Sequence, residues 1–284
     1  MNRPGACATV SASPMDSQLA TLRSLFEAMP SVLVFFSGGI DSALVLRVAH
    51  DVLGTRALGM TALSPALPLS ERDEAAAFAR SLGVPHIAVD SYEIDDPSYT
   101  ANPTNRCYFC KSELYRVARR EADARGFAVV VNGTNCDDLG DYRPGLQAAT
   151  EGEVRSPLVE AGMNKADVRR VAQLLGMEIW NKPAAACLAS RIPYGTSVTP
   201  QRLRQIDDAE VGIKALGLRQ VRVRYHDTLA RVEIGPAELE RAFALRAEVS
   251  AACKRAGFAF ATLDLDGYRT GSNNEVIKLR VLNA

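Results

Sequence analysis

The sequence has no excess of charge of either sign: Lys plus Arg number 33 and Asp plus Glu 33. Nucleic-acid-binding surfaces carry a basic surplus to neutralise phosphates, so no nucleic-acid partner is expected. No apolar run approaches the roughly eighteen residues that a membrane helix needs, which removes the membrane as a partner. The start of the chain, residues 1–18, is rich in Ala, Ser and Pro and lacks the apolar core of a secretory signal. It reads as a flexible extension. Histidine is scarce, and His50, His86 and His226 show no metal-ligand spacing. The six cysteines do not resemble a disulfide framework. Without an export signal the expected compartment is the reducing cytoplasm, where clustered cysteines more often mean metal or catalysis.

What is present is an ordinary globular composition, 47% hydrophobic and 23% charged over 284 residues. That length suits one large domain plus a smaller appendage. A short apolar run at 32–36, bounded by Pro30 and a Gly pair, reads as a buried parallel strand. Helix over 41–53, strand over 57–63, helix over 71–82 capped by Ser70, and strand over 86–90 follow. Then come helix 111–125, strand 128–132, and helix 165–175 capped by Asn164. Such alternation predicts an α/β fold, a Rossmann-like parallel sheet with ligands at the carboxyl ends of its strands. After Gly195 the pattern changes. Strict alternation over 220–226 and 229–234 brackets an Asp227-Thr228 turn, with helices over 200–215 and 237–256 and a last strand over 258–264. The expected division is 19–195 for nucleotide binding and 196–284 for a smaller α+β domain concerned with substrate or oligomerisation.

Ser37-Gly38-Gly39-Ile40-Asp41-Ser42 stands between the first strand and the first of these helices. Its glycines let backbone N–H groups approach phosphate oxygens, and the helix N-terminus adds its positive end. Ser37 and Ser42 offer hydroxyls, while Asp41 suits either Mg²⁺ or a cap. No Gly-Lys-Ser/Thr occurs, which disfavours a Walker A loop. At these residues the chain resembles the PP-loop ATP pyrophosphatase superfamily. That resemblance implies ATP cleaved between its α and β phosphates and transfer of AMP to a carboxylate or carbonyl oxygen. Thr61, Gly133 and Asp137 join the nucleotide-binding candidates, although Asn132-Gly133-Thr134-Asn135-Cys136-Asp137-Asp138 reads equally as a turn stabilised by Asn and Asp side chains. Lys165 could approach a phosphate.

Cys107-Tyr108-Phe109-Cys110-Lys111 sets two thiols near a helix start, where thiol pKa values fall. A third thiol lies far along the chain in Cys187-Leu188-Ala189-Ser190-Arg191-Ile192-Pro193-Tyr194-Gly195. The set suits zinc with an unidentified fourth ligand, or a [4Fe–4S] cluster with one open iron. Taken in order, the phosphate loop and the two cysteine segments resemble the LarE family from about residue 20 to the C-terminus. That resemblance implies an enzyme that adenylates the carboxylates of pyridinium-3,5-biscarboxylic acid mononucleotide and converts them to thiocarboxylates, on the way to the nickel-pincer nucleotide. It implies ATP and Mg²⁺ as cofactors, a homo-oligomer and an unnamed sulfur source. Members with only the cysteine matching Cys187 sacrifice its sulfur, and members with all three cysteines relay sulfide through an iron–sulfur cluster. This chain has all three and is expected to be of the cluster type.

Arg222 and Arg224 alternate with Val221, Val223 and Tyr225. By alternation alone they form a solvated strand face, and by resemblance they bind the substrate's phosphate. Ser190, Arg191 and Arg269 are added to that phosphate set, and Glu210 and Glu233 match family metal positions. Cys7, Cys136 and Cys253 read as unreactive thiols. The rivals are a tRNA thiolase of the same superfamily, an ammonia-dependent adenylating synthetase, and a non-enzymatic ATP-binding regulator.

Overall fold

The computed structural model describes residues 14–140, 144–181 and 186–269. The first 13 residues of the expected extension lie outside this range. A helix, Pro14–Glu27, begins inside the stretch read as flexible. Its Leu19, Leu22 and Phe26 fall on one stripe and are buried. That stripe supplies burial energy which composition alone did not reveal.

The chain forms two compact units. The first gathers residues 1–62, 75–89 and 115–183. Its sheet comprises β1 (Val32–Phe35), β2 (Ala57–Leu63), β3 (His86–Asp90) and β4 (Val129–Val131), in the order β3-β2-β1-β4. β1 runs parallel to both neighbours, with Val32 opposite Ala57 on β2 and Val129 on β4. All four of its residues are buried, as a continuous apolar run in a central parallel strand requires. Parallel neighbours need crossovers. The helix Ile40–Leu53 returns the chain from β1 to β2, burying Leu44, Val45 and Val48 completely. The helix Lys165–Leu174 opens with the expected Asn164 in a reciprocal capping box with Asp167. The α/β reading with a parallel sheet holds.

The second unit gathers residues 63–74, 90–114 and 184–284, so the units interleave along the chain, whereas the sequence-based division at 196 is contiguous. Its sheet joins β5 (Val221–His226), β6 (Leu229–Ile234) and β7 (Phe260–Leu263) in that order. β5 and β6 form the expected hairpin, antiparallel from Val221–Ile234 to His226–Leu229, and β7 adds in parallel to β6. Val221, Val223, Val232 and Ile234 pack with Ile206 and Ile213 of the helix Pro200–Lys214.

Three local expectations differ. The helix expected after a Ser70 cap is Leu69–Ser81, so Ser70 lies inside it. The Leu69 N–H instead donates to Asp207 Oδ2 at 3.2 Å, a distant carboxylate in place of a local cap. The single helix expected over 237–256 is two, Leu239–Ala244 and Arg246–Arg255, after a turn at Pro236–Glu238. Glu238 accepts the Arg219 and Gln220 N–H groups at 3.0 and 3.1 Å, which fixes that turn. The helix expected from residue 111 is Arg106–Arg125, so Cys107 and Cys110 lie within its first turns.

Candidate functional site

In the first unit, the chain leaves β1 through Ser37 to Ser42. Gly38 has φ +75°, open to glycine without strain. Ser42 Oγ donates to the Gly39 carbonyl at 3.0 Å, accepts the Ser37 N–H at 3.2 Å and lies 3.1 Å from Ser37 Oγ. The loop is thus folded onto its own hydroxyls. Gly39 caps the helix Ile40–Leu53 and offers no side chain to its first N–H groups, and a helix N-terminus favours anions.

Asp41 does not cap. Its carboxylate accepts from Asn135 Nδ2 at 3.2 Å and is ion-paired with Lys165 Nζ. Gly133 must be glycine: a Cβ there would stand 2.5 Å from the Ser42 nitrogen. The Asn132–Asp138 stretch carries the hydrogen bonds of a side-chain-stabilised turn. Asn132 Oδ1 accepts the Thr134 N–H, Asn135 Oδ1 the Asp137 N–H, and Asp138 Oδ2 the Asn135 N–H. Asp137 accepts the Lys165 N–H at 3.0 Å. Thr61 is buried and donates to the Phe36 carbonyl at 2.8 Å, fixing the end of β1. Its hydrogen is committed there, so the 2.9 Å contact with His86 Nε2 requires that nitrogen to carry the proton. Burial, then Arg80, lowers the His86 pKa. The Asn135 link to Asp41 spans 94 positions, so nothing local in the sequence marks it.

The second unit holds all three candidate cysteines. Cys107 and Cys187 are exposed and Cys110 is half-buried. The expectation of a lowered pKa at a helix start fails for Cys110. Burial, then the Glu93 carboxylate, pushes its thiol well above the ordinary value, and Cys187 and Cys107 add to the rise. Glu93 is itself buried and accepts from Ser64 Oγ. Cys187 opens the turn Leu188–Arg191, and the carbonyls of this segment are held by buried guanidinium groups. Arg191 donates to the carbonyls of Ala186 and, at 2.7 Å, Cys187. Arg106 reaches Ala189 at 2.9 Å, and Arg224 reaches Ser190 at 3.0 Å. The Ser190 hydroxyl donates back to Cys187 at 2.8 Å. Burial alone would lower the Arg106 pKa, but the neighbouring Cys187 and Cys107 thiols raise it.

The arginines of the phosphate set differ in what they already hold. Arg191 is 1% exposed and pairs with Glu210 at 2.9 and 3.2 Å, while Glu210 also accepts the Val223 N–H at 3.0 Å. Arg224 pairs with Glu233 at 3.0 and 2.9 Å, and Glu233 takes Arg231 at 3.2 Å. Around Arg224 and Glu233 this strand face is therefore a buried ionic network where alternation alone would put solvent. Glu210 and Glu233 are both buried and bonded to these guanidinium groups. Arg222 lies 5.3 Å over the Tyr268 ring, and burial, then Arg191, lowers its pKa. Arg269 pairs with Asp266 at 2.7 Å. Among the remaining thiols, Cys253 is fully buried with its pKa pushed up to about 11, and burial also raises Cys136. Cys7 lies outside the described residues.

No protein-family profile matches the chain. Curated proteins do. An uncharacterized protein of Synechocystis is 44% identical over 265 residues, covering 93% of this chain and 99% of its own length. The pyridinium-3,5-bisthiocarboxylic acid mononucleotide synthase of Lactiplantibacillus plantarum is 37% identical over 264 residues, 93% of this chain and 96% of that enzyme. This chain belongs to the LarE family. An uncharacterized protein of Methanocaldococcus jannaschii is more distant, 27% identical over 84% of the chain and 91% of its own length.

In this LarE-family chain the thiols are electrostatic neighbours within one unit. Among the described residues, however, no three His, Cys, Asp or Glu side chains stand together at metal-binding geometry. No helix among the described residues is long and apolar enough to cross a membrane.

Proposed function

We propose that the chain uses ATP to adenylate the carboxylates of pyridinium-3,5-biscarboxylic acid mononucleotide and converts them to thiocarboxylates, as a sulfurtransferase of nickel-pincer nucleotide biosynthesis. The observation that carries this reading is the near full-length match to the Lactiplantibacillus synthase. The phosphate loop supports it independently.

A carboxylate resists substitution because its leaving group would be oxide; adenylation replaces oxide with AMP. The Gly38–Gly39 backbone and the N-terminal end of the helix Ile40–Leu53 receive the phosphates, with Ser37 at the loop's edge. Asp41 in the loop and Asp137, which accepts the Lys165 N–H, are our choices for Mg²⁺. Mg²⁺ on Asp41 would compete with its Lys165 pair, and a loosened ammonium becomes available to a phosphate. Cationic groups and N–H donors offset the charge that grows on the tetrahedral adduct. Arg222 is our choice for the substrate's phosphate. Arg191 and Arg224 act by holding the Cys187 turn, with Glu210 and Glu233 as their counter-charges.

Three thiols on one unit fit an iron–sulfur cluster in donor type, since soft thiolates are its usual ligands. Cys107, Cys110 and Cys187 would hold it, and a cluster so held supplies sulfide as nucleophile. The same thiols suit a reducing cytoplasm.

The test is substrate-dependent pyrophosphate release coupled to mass spectrometry of the product. A thiocarboxylate made from the pyridinium mononucleotide is the expected result. Release of pyrophosphate only with tRNA, or an amide product with ammonia, would replace this reading by one of its rivals. ATP bound but never cleaved would leave a regulator. Replacing Cys107, Cys110 or Cys187 singly by Ser should remove the iron–sulfur absorbance of anaerobically prepared protein. A Cys187 peptide lighter by one H₂S after turnover in iron-free protein would establish sacrifice of the thiol instead.

A further inference from the structure

The two cysteine-bearing segments stand 77 positions apart (187 minus 110) in sequence, yet one side chain is bound to both. Arg106 immediately precedes Cys107 and is 3% exposed. Its Nη1 donates to Asn102 Oδ1 at 2.5 Å and to the Ala189 carbonyl, two residues beyond Cys187, at 2.9 Å. Asn102 is fully buried and holds the same distant segment by its amide, donating to the Pro193 and Thr196 carbonyls at 2.8 Å each. The Asn102 carbonyl accepts the Gly195 N–H at 2.9 Å. Its φ of +55° is a left-handed conformation that asparagine tolerates better than most residues. The Arg106 guanidinium carbon also lies 5.9 Å from the Tyr194 ring centroid. Arg106 and Asn102 thus tie the start of the Cys107/Cys110 helix to the chain from Ala189 to Thr196. A buried cation is costly unless an opposite charge and hydrogen bonds compensate it, and these two hydrogen-bond acceptors are neutral.

We propose that Arg106, seated on Asn102, is a positioning residue for sulfur transfer: it locks the Cys187 turn beside the helix start that carries Cys107 and Cys110. The assignment rests on the joint action of the three cysteines argued above. Arg191 and Arg224 brace the same turn, but neither stands on the helix that bears the other two thiols.

Dibromobimane, which fluoresces once both its arms have alkylated thiols, tests the clamp in iron-free protein. In a Cys110→Ser parent, peptide mass spectrometry assigns the Cys107–Cys187 bridge. Arg106→Met keeps length and loses the donors; its bridge yield should fall about tenfold, because effective concentration depends on the bonds that hold two groups together. Arg106→Lys, whose ammonium can donate to both acceptors, should restore the yield to within about threefold of the parent. A role in packing alone predicts equal yields for Met and Lys and would overturn the clamp, as would a parent that forms no such bridge. Melting temperature reports folding, and Arg106→Gln takes the place of Arg106→Met if that variant does not fold, with a reduced bridge yield again expected. Iron–sulfur absorbance of the unaltered chain separates the two ideas. Its absence, with the bridge yields ordered as expected, overturns the joint-cysteine reading and keeps the clamp. Its presence with unchanged bridge yields overturns the clamp alone.

Discussion

Asp41 and Glu210 are both carboxylates with cationic partners, and their surroundings set what each substitution costs. Asp41 is partly open within the phosphate loop, with Lys165 and Asn135 as its partners. Removing a partly exposed ion pair of this kind costs on the order of 1 kcal/mol. Asp41→Ala should therefore lower substrate-dependent pyrophosphate release by at least about tenfold while the melting temperature barely moves. An Asp41→Ala enzyme with full pyrophosphate release would remove the phosphate loop from the mechanism. Glu210 is 1% exposed against an Arg191 that is equally buried. Glu210→Ala leaves that guanidinium buried without its carboxylate, so a loss of about 3–5 kcal/mol is expected in urea unfolding. A loss below about 1 kcal/mol would show that the pair is not sealed from water.

At the scale of elements, the loop after β4 packs against the start of the helix Ile40–Leu53 at Gly133. A methyl group there would meet Ser42 backbone 2.5 and 2.8 Å away, and backbone cannot swing aside as a long side chain can. Gly133→Ala should cost about 1–3 kcal/mol and displace the helix end proposed to receive phosphate. Equilibrium unfolding together with ATP titration checks this: unchanged values for both would mean that the two elements separate easily. The same element level shows why some sequence expectations shifted. The helix at the Cys107 segment begins five residues before the expected position, and the helix at Leu69 begins beside Asp207, 138 positions away. Local caps are legible in sequence, as Asn164 is; a cap supplied by a distant carboxylate is not.

For the whole molecule, pH links the sheet of the first unit to stability. His86 has its pKa lowered from 6.5, so it stays neutral in the folded chain at a pH where the unfolded chain already binds a proton. Stability is thus full above 6.5 and is lost as pH falls from there toward the lowered folded value. His226, lowered first by burial and then by Arg231, works in the same direction. His86→Gln should flatten the decline in unfolding free energy between neutral and mildly acidic pH, measured by urea titration. A wild-type decline that survives His86→Gln intact would assign it elsewhere.

Sequence by itself determined the elements whose cause is local. The apolar run of β1, bounded by Pro30 and a Gly pair, reads as a buried strand, the alternation across Asp227-Thr228 marks a hairpin, and the glycines of the phosphate loop mark a backbone that must come close to something. The three cysteine positions and the family were legible for the same reason, since motifs are contiguous. Tertiary structure alone decided how residues distant in sequence share work. It took Arg191 and Arg224 into buried pairs with Glu210 and Glu233 and turned them toward the carbonyls around Cys187. It raised the Cys110 pKa where a helix start would lower it, because burial outweighs the helix end. Charge and spacing are written along the chain, whereas desolvation and pairing depend on which segments meet.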